Sequence, residues 1–415
     1  MTRSSVGLRR GAWSQLLALL LVCSIVRPAP AHAVDRVAGL DPKKAGIRVA
    51  ALPDVGMKAG MLVTEDGQEL WERAGDERRS MASLTKLMTA AVALEHSDPD
   101  DIVVIPARAL TVGESTSYLV PGQRMRLSEL LEALLVKSGN DAAMAIAVHV
   151  AGDEPAFARL MNKKAAELGM LDTRFANSHG LDQQGHYSTA RDLSVLARYA
   201  MSKPLIERIV ARKKATIKHA KGSIEIETTN VLLHTYDGAD GVKTGFTSDA
   251  GYCLAASATR EGTRLYAIVL GTPSDAMRVS QARTLLDWGW AHYRPQQLVS
   301  AGTVLGQATV GDYLDVTVPG AVARDVEVHV LGLLGRVDRT VTMSEVRAPV
   351  AKGDRVGVAT FRQQGMIIAT VPLLATEDVK RPGLFERGWI GLVRAWRRYT
   401  GPSPVSGATA APGLT

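Results

Sequence analysis

Three short segments of the sequence contain side chains that are able to perform covalent chemistry together. They are Ser83-Leu84-Thr85-Lys86, Ser138-Gly139-Asn140 and Lys243-Thr244-Gly245. At average residue frequencies a chain of this length contains about one Ser-x-x-Lys and roughly a tenth of a Lys-Thr-Gly by chance. Each motif alone is therefore weak, but chance seldom produces all three in this order.

The first segment pairs a nucleophile with a base. Ser83 and Lys86 are three residues apart, and on a helix this spacing places both side chains on one face. Serine is a poor nucleophile until a base removes its proton. Lysine acts as that base only when burial or a neighbouring cation lowers its pKa, and Lys243 is a candidate for the cation. We therefore expect Lys86 to activate Ser83.

The second segment supplies polar groups at a break between two predicted helices. Ser138 is able to relay a proton between a lysine and a leaving amine. Asn140 is able to hold a substrate amide and to orient Lys86. Purely structural interpretations exist as well, with Ser83 as a helix N-cap and 138–140 as a helix-breaking loop. The joint occurrence of the three motifs favours the catalytic interpretation.

The third segment suits recognition and charge stabilisation. Lys243 and Thr244 match a free carboxylate on a substrate. Phe246, which follows Gly245, offers a backbone N–H at a strand edge, and Ser83 offers another at a helix start. Two such N–H groups suit a developing negative charge. The predicted substrate-binding residues are therefore Lys243, Thr244, Gly245 and Phe246.

Hydrophobic periodicity predicts the elements that position these motifs. Residues 60–63 and 69–71 flank a β-hairpin turn at Asp66-Gly67. Helical patterns run over 83–96, 128–137 and 141–150, and residues 254–258 and 265–270 form adjacent buried strands. From about residue 303 short alternating valine-rich runs are separated by Gly or Pro. We therefore predict an α/β (α+β) catalytic domain over 34–296 and a small all-β domain over 303–376.

The first 33 residues are typical of a secretory signal peptide. Arg3, Arg9 and Arg10 precede an apolar run over Leu16–Val26, and small residues lead up to Ala33. This order of a basic start, an apolar centre and a small-residue site predicts cleavage after Ala33. The apolar run is short for a membrane span, so a retained anchor is the less favoured alternative.

The C-terminal region contains a basic amphipathic pattern. Apolar residues recur at helical spacing, with arginines between them: Leu384, Phe385, Gly388, Trp389, Leu392, Val393 and Trp396. Such a helix is typical of a membrane interface, with the arginines meeting anionic headgroups. Docking on the protein's own surface is the alternative. We predict a membrane-surface helix over 380–400 and a disordered tail over 401–415.

Composition excludes several classes of protein. With 46% hydrophobic and 22% charged residues, the 415-residue chain is ordinary globular protein. Its net charge of +7 comes from the two ends, so no basic face is expected to bind nucleic acid. Only Cys23 and Cys253 occur, which excludes a disulfide scaffold. His179 and His186 lack an HExxH motif and are interpreted as loop residues, so neither a metal nor another cofactor is predicted.

In their flanking sequence the motifs resemble those of the low-molecular-mass penicillin-binding proteins, the serine-type D-Ala-D-Ala carboxypeptidases. The similar stretches are residues 81–89, 118–122, 135–142, 179–182, 186–193 and 240–247. The resemblance covers about residues 50–296, and the β domain and terminal helix match the layout of that family. It implies a serine β-lactamase/penicillin-binding-protein-like catalytic domain. In that fold a sheet with helices on its faces lies beside a helical cluster, and the nucleophile lies between them.

The resemblance also implies a reaction. Ser83 would form an acyl-enzyme with the penultimate D-alanine of a peptidoglycan stem peptide, the terminal D-alanine would leave, and water would release the acyl group. Lys86 would be the general base, Ser138 and Asn140 the second motif, and Lys243 the carboxylate-recognition residue. β-Lactams would acylate Ser83 as substrate mimics. The enzyme would act outside the cytoplasm, peripherally attached to the cytoplasmic membrane.

One residue departs from the family pattern, and several alternative functions fit the sequence as well. Phe246 replaces the histidine that some family members carry there, although its backbone N–H is retained. A class A β-lactamase needs a glutamate for deacylation, and no Glu-x-x-Leu-Asn follows Asn140; Glu154 instead precedes Pro155. A peptidoglycan DD-endopeptidase is closer in mechanism to a carboxypeptidase than a β-lactamase is, and the sequence does not separate the two peptidases. A catalytically silent wall-binding protein is the alternative from a different class.

Overall fold

The first part of the protein mixes helices and strands. The computed structural model describes residues 35–219 and 222–400, so the predicted export signal and terminal tail lie outside the described residues. Its helices are α1 (Thr85–His96), α2 (Leu127–Leu135), α3 (Asn140–Ala151), α4 (Glu154–Glu167), α5 (Ala190–Met201), α6 (Pro204–Val210), α7 (Leu232–Thr235) and α8 (Asp275–His292). Its strands are β1 (Asp35–Val37), β2 (Ala59–Thr64), β3 (Glu69–Arg73), β4 (Ile102–Val104), β5 (Arg124–Arg126), β6 (Lys214–His219), β7 (Gly222–Glu227), β8 (Ala239–Thr247), β9 (Gly251–Arg260) and β10 (Thr263–Thr272).

A six-stranded antiparallel sheet has the order β1-β3-β2-β10-β9-β8. The predicted hairpin is confirmed, because β2 and β3 pair antiparallel across the turn that contains Gly67. Strand β8 lies at one edge of the sheet and pairs with β9, so that Lys243 lies opposite Ala255 and Gly245 opposite Cys253. The third motif therefore lies on an edge strand.

The sheet separates two cores. Side chains alternate between its faces, and in β10 Ile268 and Leu270 join the core that contains α1, α3 and α5. The intervening Ala267 and Val269 pack on the other face with Leu285 of α8. Because helices cover both faces, β10 is buried on both sides, which explains its continuous apolar run.

Helix α1 lies in the centre of the helical cluster. All its residues from Thr85 to Ala93 are buried, and it contacts α2, α3, α4 and α5. A helix that is buried all round belongs to the core rather than to the surface. The residues at its N-terminus are therefore held by packing on several sides.

The C-terminal part is all-β apart from the last helix, and the predicted fold class is confirmed. Its strands are β11 (Tyr293–Val299), β12 (Val304–Thr309), β13 (Thr317–Val322), β14 (Val326–Leu331), β15 (Asp338–Met343), β16 (Arg355–Gln363) and β17 (Met366–Ala375). Five strands form a sheet in the order β12-β13-β17-β16-β15, and β11 pairs with β14. Strand β11 follows α8 directly, so β structure begins at Tyr293.

The last helix, α9 (Leu384–Thr400), contacts the β domain through its polar face. Arg394 Nη2 donates to the carbonyls of Gly311 and Tyr313, and Ile390 is buried. Arg397 lies 3.6 Å from a carboxylate oxygen of Asp315. The amphipathic pattern predicted that the arginines meet headgroups, but Arg394 and Arg397 contact loop carbonyls and a carboxylate of the protein instead.

The opposite face of α9 is apolar and exposed. Its side chains are 63–98% exposed: Leu384, Phe385, Trp389, Leu392, Trp396 and Tyr399. Between residues 35 and 400, leaving aside 220 and 221, no helix combines the length and the apolar character needed to cross a bilayer.

Candidate active site

Ser83 lies in a tight turn at the start of α1. The turn is the 3-10 segment Ala82–Leu84, and Ala82 and Leu84 are fully buried while Ser83 is half-buried. Ala82 has a φ of +51°, a left-handed conformation that costs energy for a non-glycine residue. The structure therefore holds a strained turn by packing and presents the Ser83 hydroxyl at its surface.

Lys86 contacts Ser83 and two further groups. Its Nζ lies 2.8 Å from Ser83 Oγ, 2.7 Å from Asn140 Oδ1 and 2.7 Å from the His179 carbonyl oxygen. The Asn140 amide nitrogen donates to the Gly113 carbonyl at 3.0 Å, which fixes the amide orientation. Because an amide oxygen and a carbonyl oxygen only accept, they take two N–H groups of Lys86. In the neutral amine the remaining lone pair then faces the Ser83 hydroxyl.

The environment of Lys86 favours the neutral amine. Burial lowers its pKa well below the usual value, and the positive charge of Lys243 lowers it further. Asp141 and Glu114 act in the opposite direction but are smaller influences. A lysine with a lowered pKa and a serine hydroxyl within hydrogen-bond distance make a base–nucleophile pair.

Lys243 is a second buried amine on β8. Its Nζ donates to the Thr244 carbonyl at 2.9 Å and forms no hydrogen bond to Ser83 or Lys86. Burial, and then the charge of Arg278, lowers its pKa to about 7. Lys243 therefore acts on Lys86 through its charge rather than through direct contact.

The rest of β8 brings backbone close to the nucleophile. A Cβ added to Gly245 would lie 2.9 Å from Ser83 N, so only glycine allows this approach. The Thr244 hydroxyl contacts that of Thr229. Phe246 is half exposed, and its ring lies 4.3 Å from that of Tyr252. Its side chain is thus displayed to solvent beside the site.

The second motif occupies the loop between α2 and α3. Asn140 is the first residue of α3. Ser138 is buried with a φ of +68°, and within the described part of the chain its hydroxyl forms no hydrogen bond. Asp141, which sequence reasoning missed, accepts from the backbone N–H groups of Ser117 and Leu119. It thereby fixes the neighbouring loop against the motif.

Two further residues of the site came from the structure rather than from the sequence. The His179 carbonyl that binds Lys86 is a backbone group, and no side-chain pattern signals its role. Arg278 of α8 is buried and donates from Nη1 to the Gly245 carbonyl at 2.9 Å. It is a lone arginine outside any motif, so the sequence offers no signal for it.

Two histidines near the site, His179 and His186, help to hold the loop that provides the His179 carbonyl. His186 Nδ1 accepts from Ala176 N at 3.0 Å, and its Nε2 lies 2.8 Å from Thr85 Oγ1. Burial is the largest cause that lowers the pKa of His186 to about 4 and that of His179 to about 3. Both rings are therefore neutral near pH 7 and serve as hydrogen-bonding groups.

Two family models match the chain. One describes D-alanyl-D-alanine carboxypeptidases of peptidase family S11 and matches residues 48–274. The other describes the C-terminal domain of penicillin-binding protein 5 and matches residues 293–381.

Individual relatives and solved structures agree with these matches. The D-alanyl-D-alanine carboxypeptidase DacC of Escherichia coli is 32% identical over 84% of this chain and 90% of its own length. DacF of Bacillus subtilis is 30% identical over 82% and 90%. The crystal structure of penicillin-binding protein 5 from Haemophilus influenzae is 30% identical, has a TM-score of 0.62 and covers 80% of this chain and 99% of its own. The crystal structure of DacD from Francisella tularensis has a TM-score of 0.65 at 27% identity, and covers 81% and 96%. The first model spans more than half of the sequence, and the chain therefore belongs to the D-alanyl-D-alanine carboxypeptidase family.

Proposed function

We propose that this protein is a serine-type D-Ala-D-Ala carboxypeptidase in which Ser83 is the nucleophile and Lys86 the general base. One observation carries the assignment of these two residues. The Nζ of Lys86 has two acceptor-only partners and one hydroxyl partner, which aims its lone pair at Ser83. Burial keeps the amine available as a base.

The reaction follows from this geometry. Ser83 Oγ attacks the carbonyl carbon of the penultimate D-alanine, and its proton passes to Lys86 Nζ. An ester forms as the peptide C–N bond breaks, and the proton moves to the departing amine of D-alanine, with Ser138 as relay and Asn140 orienting Lys86. Water then adds to the ester, and its cleavage restores the Ser83 hydroxyl and releases the shortened peptide.

Residues of β8 bind the substrate in this proposal. Lys243 attracts the terminal carboxylate of D-alanine, and Thr244 offers it a hydroxyl. The backbone N–H groups of Ser83 and Phe246 stabilise the oxyanion of the tetrahedral intermediate. Gly245 allows the strand to approach the nucleophile. A β-lactam presents a carboxylate and a reactive carbonyl to the same groups and acylates Ser83.

Release of free D-alanine from a peptide ending in D-Ala-D-Ala tests the function. The wild-type protein should release one D-alanine per peptide, whereas Ser83→Ala should release none above background. Cleavage of cross-linked peptides without D-alanine release would instead indicate an endopeptidase. A wild-type protein that binds wall fragments but leaves the peptide intact would contradict enzymatic activity.

The pH dependence of the reaction should be bell-shaped in kcat/KM. At low pH Lys86 becomes protonated and loses its role as a base. Lys243 is charged only below its pKa of about 7, so kcat/KM should fall as the pH rises above that value. A bound carboxylate raises the pKa of Lys243, so the alkaline limb of kcat should lie at higher pH. Kinetics from pH 5 to pH 10 measure both limbs.

Lys243→Arg is the control for this assignment. Arginine stays protonated throughout the range, so the alkaline limb should disappear whatever the absolute rate of the variant. An alkaline limb that persists unchanged in Lys243→Arg would show that another group titrates there.

The same proposal includes export and attachment to the outer face of the cytoplasmic membrane. The proposed layout is an export signal over 1–33, a catalytic domain over 34–296, a β domain over 303–376 and a membrane-surface helix over 380–400. The exposed apolar face of α9 points away from the β domain, because the opposite face carries the hydrogen bonds of Arg394 and the buried Ile390. An amphipathic helix with such a face binds the membrane interface.

Loss of two tryptophans should release the protein from membranes. Trp389→Ser with Trp396→Ser removes the two largest exposed rings of α9, and we expect vesicle binding to fall at least about tenfold. Co-sedimentation with vesicles of anionic phospholipid measures it. Leu171→Ser is the control, because Leu171 is 81% exposed on the catalytic domain and should leave binding unchanged. Equal binding of the tryptophan variant and the wild type would contradict the anchor.

A further inference from the structure

Glu154 contacts the loop that provides the His179 carbonyl. Its Oε1 accepts from Ser178 N at 2.9 Å and from Ser178 Oγ at 2.6 Å. The Nε2 of His179 lies 3.5 Å from the same oxygen. His179 Nδ1 accepts from Leu181 N, so the proton of the neutral ring is on Nε2 and faces Glu154. One carboxylate oxygen thus hydrogen-bonds Ser178 twice and lies beside the ring of the next loop residue, His179.

The backbone position of Glu154 is itself well fixed. Glu154 is the first residue of α4, and Asp153 caps this helix by accepting from Ala156 N at 2.7 Å. Pro155 follows directly and fixes its own φ. The carboxylate therefore extends from a rigid helix start rather than from a mobile loop.

The same two loop residues contact α1. Ser178 is fully buried, and its carbonyl accepts from Thr89 Oγ1 at 2.6 Å. The next carbonyl, of His179, accepts from Lys86 Nζ at 2.7 Å. Two sets of hydrogen bonds, one from Glu154 to Ser178 and one from the His179 carbonyl to Lys86, are therefore joined by a single covalent step of backbone.

This connection bears directly on proton transfer. The two acceptor-only partners of Lys86 are Asn140 Oδ1 and the His179 carbonyl. If the carbonyl moves away, one N–H of the buried amine loses its acceptor and the lone pair is no longer aimed at Ser83. Misplacement of a reacting group by about 1 Å can cost about 10²-fold in rate.

We propose that Glu154 is a positioning residue for the general base. By hydrogen-bonding Ser178 it holds the next carbonyl, that of His179, where this oxygen orients Lys86 toward Ser83. The inference rests on the proposed role of Lys86, and assigns Glu154 to the acylation step.

Variants of Glu154 separate hydrogen bonding from charge. Glu154→Ala removes the acceptor, and we expect the rate constant for acylation by benzylpenicillin to fall about 10- to 100-fold, with KM for a D-Ala-D-Ala peptide within about twofold of wild type. Glu154→Gln keeps a carbonyl oxygen that accepts from Ser178, and its rate should stay within about threefold of wild type. A Glu154→Gln rate as low as that of Glu154→Ala would overturn hydrogen-bonded positioning.

Asp153→Ala is the matched control for helix stability. It removes the cap of α4 one residue earlier without touching the loop, so Tm should fall while the acylation rate stays within about twofold of wild type. An equal loss of rate in Asp153→Ala would show that Glu154 acts only through α4 stability. An unchanged rate in Glu154→Ala would also overturn the inference.

Thr89→Val tests the same loop independently. Valine is close to threonine in volume but lacks the hydroxyl that binds the Ser178 carbonyl. We expect its acylation rate to fall about 3- to 10-fold at unchanged KM, and no loss would count against the inference. Failure of the proposed function has a different signature, since the wild-type protein itself would then form no adduct at Ser83.

Discussion

Replacement of Lys86 by glutamine is expected to lower the acylation rate with benzylpenicillin by about 10²–10⁴-fold, the usual contribution of a general base. The Ser83 hydroxyl remains in place, but the lone pair that accepts its proton is lost. The glutamine amide is still able to donate to Asn140 Oδ1 or to the His179 carbonyl. The buried site therefore keeps a partner for at least one of its acceptors, and the variant should fold.

Two measurements make the Lys86 result decisive. Tm should show that Lys86→Gln is folded at the assay temperature, and raising the pH should not restore the rate because glutamine cannot become a base. Lys163→Gln is a control, since its side chain is 76% exposed on α4, and it should acylate at the wild-type rate. A Lys86→Gln rate within about tenfold of wild type would mean that another group removes the Ser83 proton.

Replacement of Gly180 by alanine is the second large effect that we expect. Gly180 has a φ of +95°, and a Cβ there would lie 2.1 Å from the carbonyl oxygen of Ala82. The Ala82 carbonyl is a backbone group and cannot rotate aside as a side chain would. The loop that contains Gly180 therefore has to move away from the turn that holds Ser83. We expect the free energy of unfolding to fall by about 2–4 kcal/mol. Movement of the His179 carbonyl should also lower acylation by about 10²-fold.

Gly185→Ala is the matched control in the same loop. Gly185 also has a positive φ, of +79°, but a Cβ there would lie no closer than 3.6 Å to other atoms, those of Arg174. The Gly185→Ala variant should lose only about 1–2 kcal/mol of unfolding free energy through backbone strain. It should be acylated at the wild-type rate. Chemical denaturation and stopped-flow acylation measure the two effects. Equal behaviour of the two variants would contradict a specific contact between Gly180 and the nucleophile turn.

Local sequence patterns predicted the parts of the site that depend on local structure. The spacing of Ser83 and Lys86 predicted that they approach each other, and the structure has their polar atoms 2.8 Å apart. The turn at Asp66-Gly67 predicted the β2–β3 hairpin, and the apolar run of β10 predicted a buried strand. In each case a local spacing, an apolar run or a turn sequence fixes the geometry within a few residues.

Long-range contacts between a side chain and a backbone carbonyl could not be predicted from such patterns. Lys86 meets the His179 carbonyl across 93 positions of sequence, and every residue has a carbonyl, so nothing in the sequence marks this one. Arg278 of α8 likewise contacts an unmarked carbonyl, that of Gly245 on β8. The two faces of α9 were predicted, but not that Arg394 binds loop carbonyls of the β domain.

Ser83 is tested as the nucleophile by measuring the mass of the protein from Val34 onward after incubation with benzylpenicillin, followed by peptide mapping. We expect one stable adduct per molecule on the peptide that contains Ser83, and no adduct in Ser83→Ala. An adduct on another residue would contradict the assignment of the nucleophile. Intact antibiotic with no adduct would contradict the enzymatic function, and rapid hydrolysis with no adduct would indicate a β-lactamase.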